Sequence, residues 1–110
     1  MTGDCVIALT TVPADHDGAA LARTLVDEGL AACVNLLPEM VSVYRWKEAI
    51  QQDRERQIVI KTTQARVAAL WERIRALHPY DVPEFVVLPI VDGSDAYLRW
   101  IAEAAAGPPP

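Results

Sequence analysis

The chain has 110 residues, of which 52% are hydrophobic, and this length predicts one globular domain over residues 1–110 with a single core. The formal net charge is −5, so the composition lacks the basic patch that nucleic acid or an anionic membrane surface would require. The N-terminus shows no basic leader and no stretch of membrane-spanning length, so we expect a cytoplasmic protein.

The first two predicted elements are a strand and a helix. The apolar run over residues 5–12 predicts a central strand that stops at Pro13. Asp15 or Asp17 then begins a helix, because an early carboxylate complements the dipole at a helix N-terminus. Gly29 ends this helix.

The middle of the chain predicts a long β-hairpin. Residues 31–37 and 40–46 form one extended segment interrupted at Pro38, and residues 54–63 form its return strand. A strand of ~10 residues is ~33 Å long, whereas a compact domain of this size has a radius of gyration of ~13 Å. We therefore expect the tip of the hairpin to extend beyond the domain and to need a partner.

A second helix and a fourth strand follow the hairpin. Thr62 or Thr63 is placed to cap a helix whose apolar face is Val67, Leu70, Trp71, Ile74 and Leu77, and Pro79 ends that helix. The apolar pattern over residues 84–91 predicts the fourth strand. A proline inside this strand donates no hydrogen bond, which favours a position at the sheet edge.

The predicted order is β-α-β-β-α-β followed by a C-terminal helix. Ser94 caps that helix, and residues from about 104 to 110 are expected to form a disordered tail. Two right-handed crossovers joined by a hairpin give the ferredoxin-like arrangement, an α+β fold with a single antiparallel sheet and helices on one face. The central strands are apolar on both sides, so the other face needs cover that one chain does not supply. We therefore expect self-association into a closed assembly.

A loop held between two prolines carries the first candidate site. It places His78, Tyr80, Asp81 and Glu84 close together in sequence. His78 with Glu84 or Asp81 could bind a divalent metal, but a lone histidine is a weak signal. The alternative is structural: the imidazole bonds carbonyls at its helix end, the phenol packs with its hydroxyl bonded, and the glutamate only begins a strand. Residue chemistry alone favours the structural alternative.

Five further residues are candidates for a ligand cleft or an interface. Lys61 follows a buried apolar run at the end of a core strand, where a charge needs a partner. It is either a sheet-edge lysine that reaches water, or a cation that lines a pocket or pairs with a carboxylate. Four aromatic residues are interpreted as interface anchors. They are Tyr44, Trp46, Tyr97 and Trp100.

The two cysteines lack the spacing of a zinc site and the dense pattern of small secreted domains. Cys5 and Cys33 lie in two different predicted strands, and both are expected to be free, buried thiols. The first and second strands of a ferredoxin-like sheet are not neighbours, so we expect no disulfide between them.

Five short motifs stand along the chain, each occurring once: LAACVN at residues 30–35, YRW at 44–46, IKT at 60–62, HPY with VPE at 78–84, and YLRW at 97–100. In order and spacing they resemble the CutA family of divalent-cation tolerance proteins. The resemblance implies a ferredoxin-like subunit and a cytoplasmic homotrimer built by the long hairpins, similar in architecture to the PII-like signalling proteins. It also implies a response to metal ions and a link to copper tolerance and divalent-metal binding.

The metal ligands implied by the resemblance are incomplete in this chain. The family's copper site uses a cysteine at the end of the first strand and a His-His pair before Pro-Tyr. Thr10 and Leu77-His78 stand there instead, so one ligand of three remains, whereas copper prefers thiolate and imidazole. We therefore predict weak divalent-metal (copper) binding, if any, through His78 and Glu84, and no other cofactor. Glu48 replaces a family glycine at the hairpin tip, so the local turn is free to differ.

Three classes of function follow. The preferred class is a trimeric, metal-responsive or small-ligand-binding protein with Lys61, His78, Tyr80 and Glu84 lining a cleft between subunits. The second is a small ferredoxin-like enzyme with His78 and Glu84 as acid and base. The sequence contains no nucleophile motif or phosphate-binding loop that supports this second class, so we expect that the protein is not an enzyme. The third is a PII-like signalling or interaction scaffold whose trimer holds partner proteins.

Overall fold

A computed structural model describes residues 4–107 of the chain. Its elements are β1 (Cys5–Pro13), α1 (Gly18–Asp27), β2 (Cys33–Trp46), β3 (Ala49–Thr63), α2 (Val67–Leu77), β4 (Val86–Pro89) and α3 (Asp95–Ala104). The strands form one antiparallel sheet in the order β2-β3-β1-β4, which confirms the predicted ferredoxin-like α+β fold. No helix within the described residues is long and apolar enough to cross a membrane.

One face of the sheet carries the main core. The central strands β1 and β3 place Ala8 opposite Ile60 and Thr10 opposite Ile58, and α1 and α2 pack over these residues. Fully burying one aliphatic side chain stabilises a fold by about 1.5–3 kcal/mol, so this layer is a major source of stability. The buried cluster contains Ala8, Val12, Leu21, Leu25, Leu30, Ala31, Ile58, Ile60, Leu70 and Ile74.

Within residues 4–107, α3 covers the opposite face of the sheet at one end. Cys5 of β1 is 1% exposed and lies in a second buried cluster with residues of α3, including Leu98 and Ile101. The prediction that the chain leaves this whole face uncovered is therefore wrong at that end. Farther along, Val86 and Leu88 of β4 remain nearly half exposed.

Strands β2 and β3 run past the end of β1. The pairing of β1 with β3 ends where Pro13 meets Glu55, but β2 and β3 continue to pair as far as Trp46 and Ala49. Residues 41–54 thus form a two-stranded extension, called the hairpin ribbon below. The described chain is elongated, with a long axis of 44 Å against 29 and 23 Å for the other two. The predicted overhang of the hairpin is confirmed.

Two local irregularities shape the hairpin. Its register shifts between Leu36 and Glu39, around the interruption predicted at Pro38. At the tip, Lys47 and Glu48 have φ angles of 49° and 68°, although neither is glycine. Positive φ at both central residues is the pattern of a type I′ hairpin turn, which favours Asn-Gly. Lys47 and Glu48 therefore adopt a left-handed backbone conformation that is unfavourable for residues other than glycine and asparagine.

The start of α2 and the length of β4 differ from the predictions. The Thr62 hydroxyl donates to the Leu30 carbonyl oxygen at 2.7 Å, and no side chain caps α2 at Arg66. A single turn of 3-10 helix links Thr63 to α2 instead, and it has no side-chain cap either. β4 has four residues rather than the eight expected, since it pairs with β1 only over the range from Val6 to Leu9.

The C-terminal residues lie against the loop that ends α1. Ala105 is buried, and the Gly107 backbone N–H donates to the Gly29 carbonyl oxygen at 3.1 Å. The predicted tail is therefore wrong over residues 104–107, while residues 108–110 lie outside the described part of the chain. Gly29 has a φ of 70°, and a Cβ there would lie 2.2 Å from the Gly107 carbonyl carbon, so this position requires glycine.

The two thiols are free and lie in different environments. β3 separates the strands that carry them, as predicted, so no disulfide joins them. Cys5 is buried, and burial followed by the nearby Asp4 carboxylate raises the pKa of its thiol. Cys33 is only half-buried. The predicted burial is thus confirmed for Cys5 and wrong for Cys33.

Candidate functional site

A cleft of about 800 Å³ separates the hairpin ribbon from the loop that follows α2, and we call it the Tyr80 cleft. Its volume lies in the range of small-molecule sites, about 300–1,000 Å³. It is lined by Thr11, Met40, Ser42, Val43, Tyr44, Trp46, Glu55, Gln57, Pro79, Tyr80, Asp81, Val82, Pro83 and Glu84.

Strand alternation explains which side chains reach this cleft. Ile58 points into the helix-covered core, so Gln57 and Glu55 point to the opposite face. Met40 lies directly across from Glu55, and every second residue of β2 from there to Tyr44 shares its face. The floor of the cleft is therefore the face of the sheet that α3 leaves open.

Tyr80 and Glu55 form the polar centre of the cleft. The Tyr80 hydroxyl donates to Glu55 Oε2 at 2.8 Å, and Glu55 is only 6% exposed. Burial, and then the bond to Glu55, raises the pKa of the Tyr80 phenol, which therefore keeps its proton and donates a hydrogen bond to the carboxylate. None of the ion pairs within residues 4–107 involves Glu55, so its negative charge is not balanced by a basic side chain.

Two further hydrogen-bonded groups border the cleft. The Tyr44 hydroxyl donates to the Asp53 carboxylate, and this bond raises the pKa of Tyr44. Gln57 Nε2 donates to the Thr10 carbonyl oxygen at 2.7 Å and to Glu84 Oε2 at 2.9 Å, which ties the loop to the sheet. Neutral donors thus hold the carboxylates in place without cancelling their charge.

His78 lies at the start of the loop, with both ring nitrogens engaged. Nε2 donates to the Thr11 carbonyl oxygen at 2.5 Å, and Nδ1 accepts from the Tyr80 backbone N–H at 3.0 Å. A neutral ring with its proton on Nε2 satisfies both bonds. The arrangement leaves no lone pair for a metal ion or for accepting a substrate proton. His78 thus links the loop to β1, and its partner is a β1 carbonyl rather than the carbonyls that end α2.

The side chains implied as metal ligands do not form a set. The Thr10 hydroxyl is fully buried and has no hydrogen-bond partner within the described chain, and Leu77 offers no ligand atom. No group of three His, Cys, Asp or Glu side chains in residues 4–107 is arranged to hold a metal ion. The residues present therefore do not fit the implied copper site, and the predicted pair of His78 and Glu84 gains no geometric support.

The remaining candidates lie in two separate places. Tyr44, Trp46, Tyr80 and Glu84 line the cleft. Lys61 lies farther along β3, at a distance on the order of 20 Å from Glu55. Its Nζ is 5.7 Å from the centroid of the Tyr97 ring, and the rings of Tyr97 and Trp100 are 5.5 Å apart. Lys61, Tyr97 and Trp100 thus belong to the end of the sheet that α3 covers.

Glu55 and Gln57 are cleft residues that the motifs do not reveal. Neither belongs to a recognisable motif, and Glu55 stands between two arginines in the sequence RERQ. The signal that could find them is the period-2 alternation, which places both on the face opposite Ile58.

The sequence profile of a family described as CutA1 divalent ion tolerance protein matches residues 6–104. The divalent-cation tolerance protein CutA of Thermus thermophilus is 45% identical over 97 residues, which cover 88% of this chain and 94% of that relative. Human protein CutA is 40% identical over 101 residues, or 92% of this chain. The chain spans only 56% of the human relative.

Solved structures show the same fold. The divalent cation tolerance protein Cut A1 of Thermus thermophilus has a TM-score of 0.88 and 44% identity, covering 91% of this chain and 97% of that one. CutA1 of Oryza sativa has a TM-score of 0.89 and 40% identity, covering 94% and 96%. These likenesses extend over nearly the whole of the described chain.

Proposed function

The chain belongs to the CutA1 divalent ion tolerance family, and on this premise we propose that it works as a homotrimer that binds a small ligand in the Tyr80 cleft. The observation that carries the proposal is the cleft itself, which is large enough for a small molecule and lined by fixed polar groups. In this proposal the response to divalent cations depends on ligand binding and assembly rather than on a tightly held copper ion.

The hairpin ribbon supports self-association. At its base the Arg54 carbonyl oxygen accepts from the Ala14 N–H, but beyond that point its two strands pair only with each other within residues 4–107. A lone two-stranded hairpin is at best marginally stable in water. Val43 and Ile50 on the ribbon are 64% and 70% exposed, a degree of exposure that favours burial against a partner. The outer edge of β2 presents further unpaired backbone groups. A closed ring of subunits buries the exposed ribbon and pairs the strand edge without open-ended growth. The family resemblance implies that this ring has three subunits.

Light scattering on the purified protein tests the trimer. We expect a trimeric mass at micromolar concentration, and a monomer would contradict the proposal. Trp46→Ala on the ribbon should weaken the assembly, because large aromatic anchors contribute 2 kcal/mol or more at interface hot spots. Val26→Ala is the control, since Val26 is an equally exposed apolar residue on α1. Equal loss of assembly in both variants would argue against an anchoring role for Trp46.

Metal binding is tested separately. We expect weak divalent binding and no tight copper(I) site, because Thr10 and Leu77 replace the implied ligands and the ring nitrogens of His78 are engaged. Titration calorimetry with copper(II) and, separately, with copper(I) on the wild type and His78→Ala measures both parts of this expectation. Tight copper(I) binding that the substitution abolishes would show that His78 is a ligand.

A thermal-shift panel tests ligand binding as such. The panel contains divalent metals, nucleotides, small acids and amines, since any compound that binds only the native state raises the melting temperature. We expect at least one organic compound to raise it in the wild type and to lose this effect in Tyr44→Ala. A panel without any shift would favour the scaffold alternative. The acid-base enzyme receives no support, because His78 has no nitrogen free to accept a proton.

A further inference from the structure

We propose that the Tyr80 cleft selects an organic cation, and that its ligand carries one or more alkylammonium groups, as a polyamine does. This inference rests on the proposed function and names the chemical class of ligand for the same cleft. It draws on the charge, the aromatic rings and the placement of the side chains that line the cleft.

The residues that line the cleft carry negative charge and include no basic side chain, although Lys47 Nζ lies beside the ring of the lining residue Trp46. Three carboxylates face the cleft, from Glu55, Asp81 and Glu84, whereas none of the lining residues is Lys, Arg or His. The hydrogen bonds from Tyr80 and Gln57 use Oε2 of Glu55 and of Glu84, and within residues 4–107 no donor bonds Oε1 of either carboxylate, so each Oε1 has the capacity to accept a hydrogen bond from a ligand. Such a site attracts a cation that donates hydrogen bonds and repels an anion.

Three aromatic rings line the same cleft, those of Tyr44, Trp46 and Tyr80. Ring faces attract ammonium groups within about 6 Å, and aromatic cages are a common means of binding alkylated ammonium ions. The protein's own Lys47 shows this preference, since its Nζ lies 5.8 Å from the centroid of the Trp46 ring. Ring faces add affinity for the apolar part of an organic cation, which a hydrated metal ion lacks.

The placement of the carboxylates favours an organic cation over a metal ion. A divalent metal needs several ligand atoms converging on one point at about 2.0–2.6 Å, and no such group of three side chains exists within residues 4–107. Glu55 stands on the sheet floor, whereas Asp81 and Glu84 stand on the loop wall. An extended molecule with separated ammonium groups can reach both walls. The cleft is also preorganised, because Tyr80 and Gln57 already hold two of the carboxylates in place.

Titration calorimetry with spermidine on the protein in its native assembly tests this inference. Glu84→Gln removes one cleft charge at an exposed position, and Glu103→Gln removes the same charge from the exposed surface of α3. We expect Glu84→Gln to weaken spermidine binding by about tenfold or more, as for loss of a charge-assisted hydrogen bond. Glu103→Gln should change it by less than about twofold. Equal weakening in both variants would show a response to net charge alone and would overturn the proposal.

Tyr44→Leu supplies an independent test of the aromatic contribution. It removes a ring from the cleft without changing the charge, and we expect spermidine binding to weaken several-fold while circular dichroism shows an unchanged fold. Mg²⁺ at matched ionic strength should not displace spermidine. If Mg²⁺ does displace it, the cleft recognises positive charge alone and not the organic part of the ligand.

The outcomes also separate this inference from the proposed function. If nucleotides or small acids bind the cleft and spermidine does not, the cation class is wrong while ligand binding stands. If no compound binds because a second copy of the chain fills the cleft, both the inference and the proposed ligand site are wrong.

Discussion

Replacing Thr10 by Val should stabilise the protein. The Thr10 side chain lies on the helix-covered face of β1 opposite Ile58, is 0% exposed, and its hydroxyl finds no hydrogen-bond partner within residues 4–107. Valine has nearly the same shape and puts a methyl group in place of the hydroxyl, so no cavity opens. It also suits a strand, where branching at Cβ is favoured.

The magnitude follows from the cost of the buried hydroxyl. Burying a hydroxyl without a hydrogen bond costs about 1–3 kcal/mol in mutational data. Part of that cost is recovered where small shifts bring the hydroxyl closer to a polar atom, so we expect Thr10→Val to raise the free energy of unfolding by about 1 kcal/mol.

Thr62 provides a matched control in the neighbouring strand. It is also 0% exposed, but its hydroxyl donates to the Leu30 carbonyl oxygen at 2.7 Å. Thr62→Val removes that bond and takes a donor from a buried carbonyl, which should lower the free energy of unfolding by about 1–2 kcal/mol. Urea unfolding at one fixed protein concentration measures both variants. Destabilisation of similar size in both would refute the claim that hydrogen bonding decides the sign.

Three further predictions concern the hairpin tip, the thiols and the phenol. Lys47→Asn combined with Glu48→Gly should raise the free energy of unfolding by roughly 1 kcal/mol in urea titrations, because this pair suits positive φ angles. A maleimide without denaturant should label Cys33 well before the buried Cys5, as mass spectrometry of the peptides would show. The raised pKa of Tyr80 contributes stability that is fully present below the unfolded pKa of ~10 and is lost as the pH rises through the folded pKa. Tyr80→Phe should therefore lose stability less steeply than the wild type above about pH 10.

The fold was largely predictable because its signals are local. Alternating and continuous apolar runs identified the four strands, and Pro38 and Pro89 marked the register shift and the edge strand. The position of α3 was not predictable in this way. Its apolar side shows that it packs on something, but the sequence pattern does not say which face of the sheet it covers. Only the contacts with Cys5 decide that question.

The candidate site was harder to predict because it depends on distant segments. The motifs grouped Lys61 with Tyr80 and Glu84, since all three stand out along the chain. The register of β3 places Lys61 near Tyr97 instead and brings Glu55 to Tyr80. Which residues share the cleft depends on where the loop after α2 folds against the ribbon, and no local pattern carries that information.

Thr10 links the question of stability to the question of metal. The resemblance implies a cysteine ligand at its position, and a cysteine is a small apolar residue whose thiol tolerates burial without a strong hydrogen bond. Threonine offers a poor copper ligand and a hydroxyl that needs a partner, so this chain gains neither a metal site nor stability there. If the implied site were still in use, Thr10→Val would weaken metal binding as well as change stability. We expect it to change stability alone, and measuring metal binding by titration calorimetry together with urea unfolding on this one variant tests that expectation.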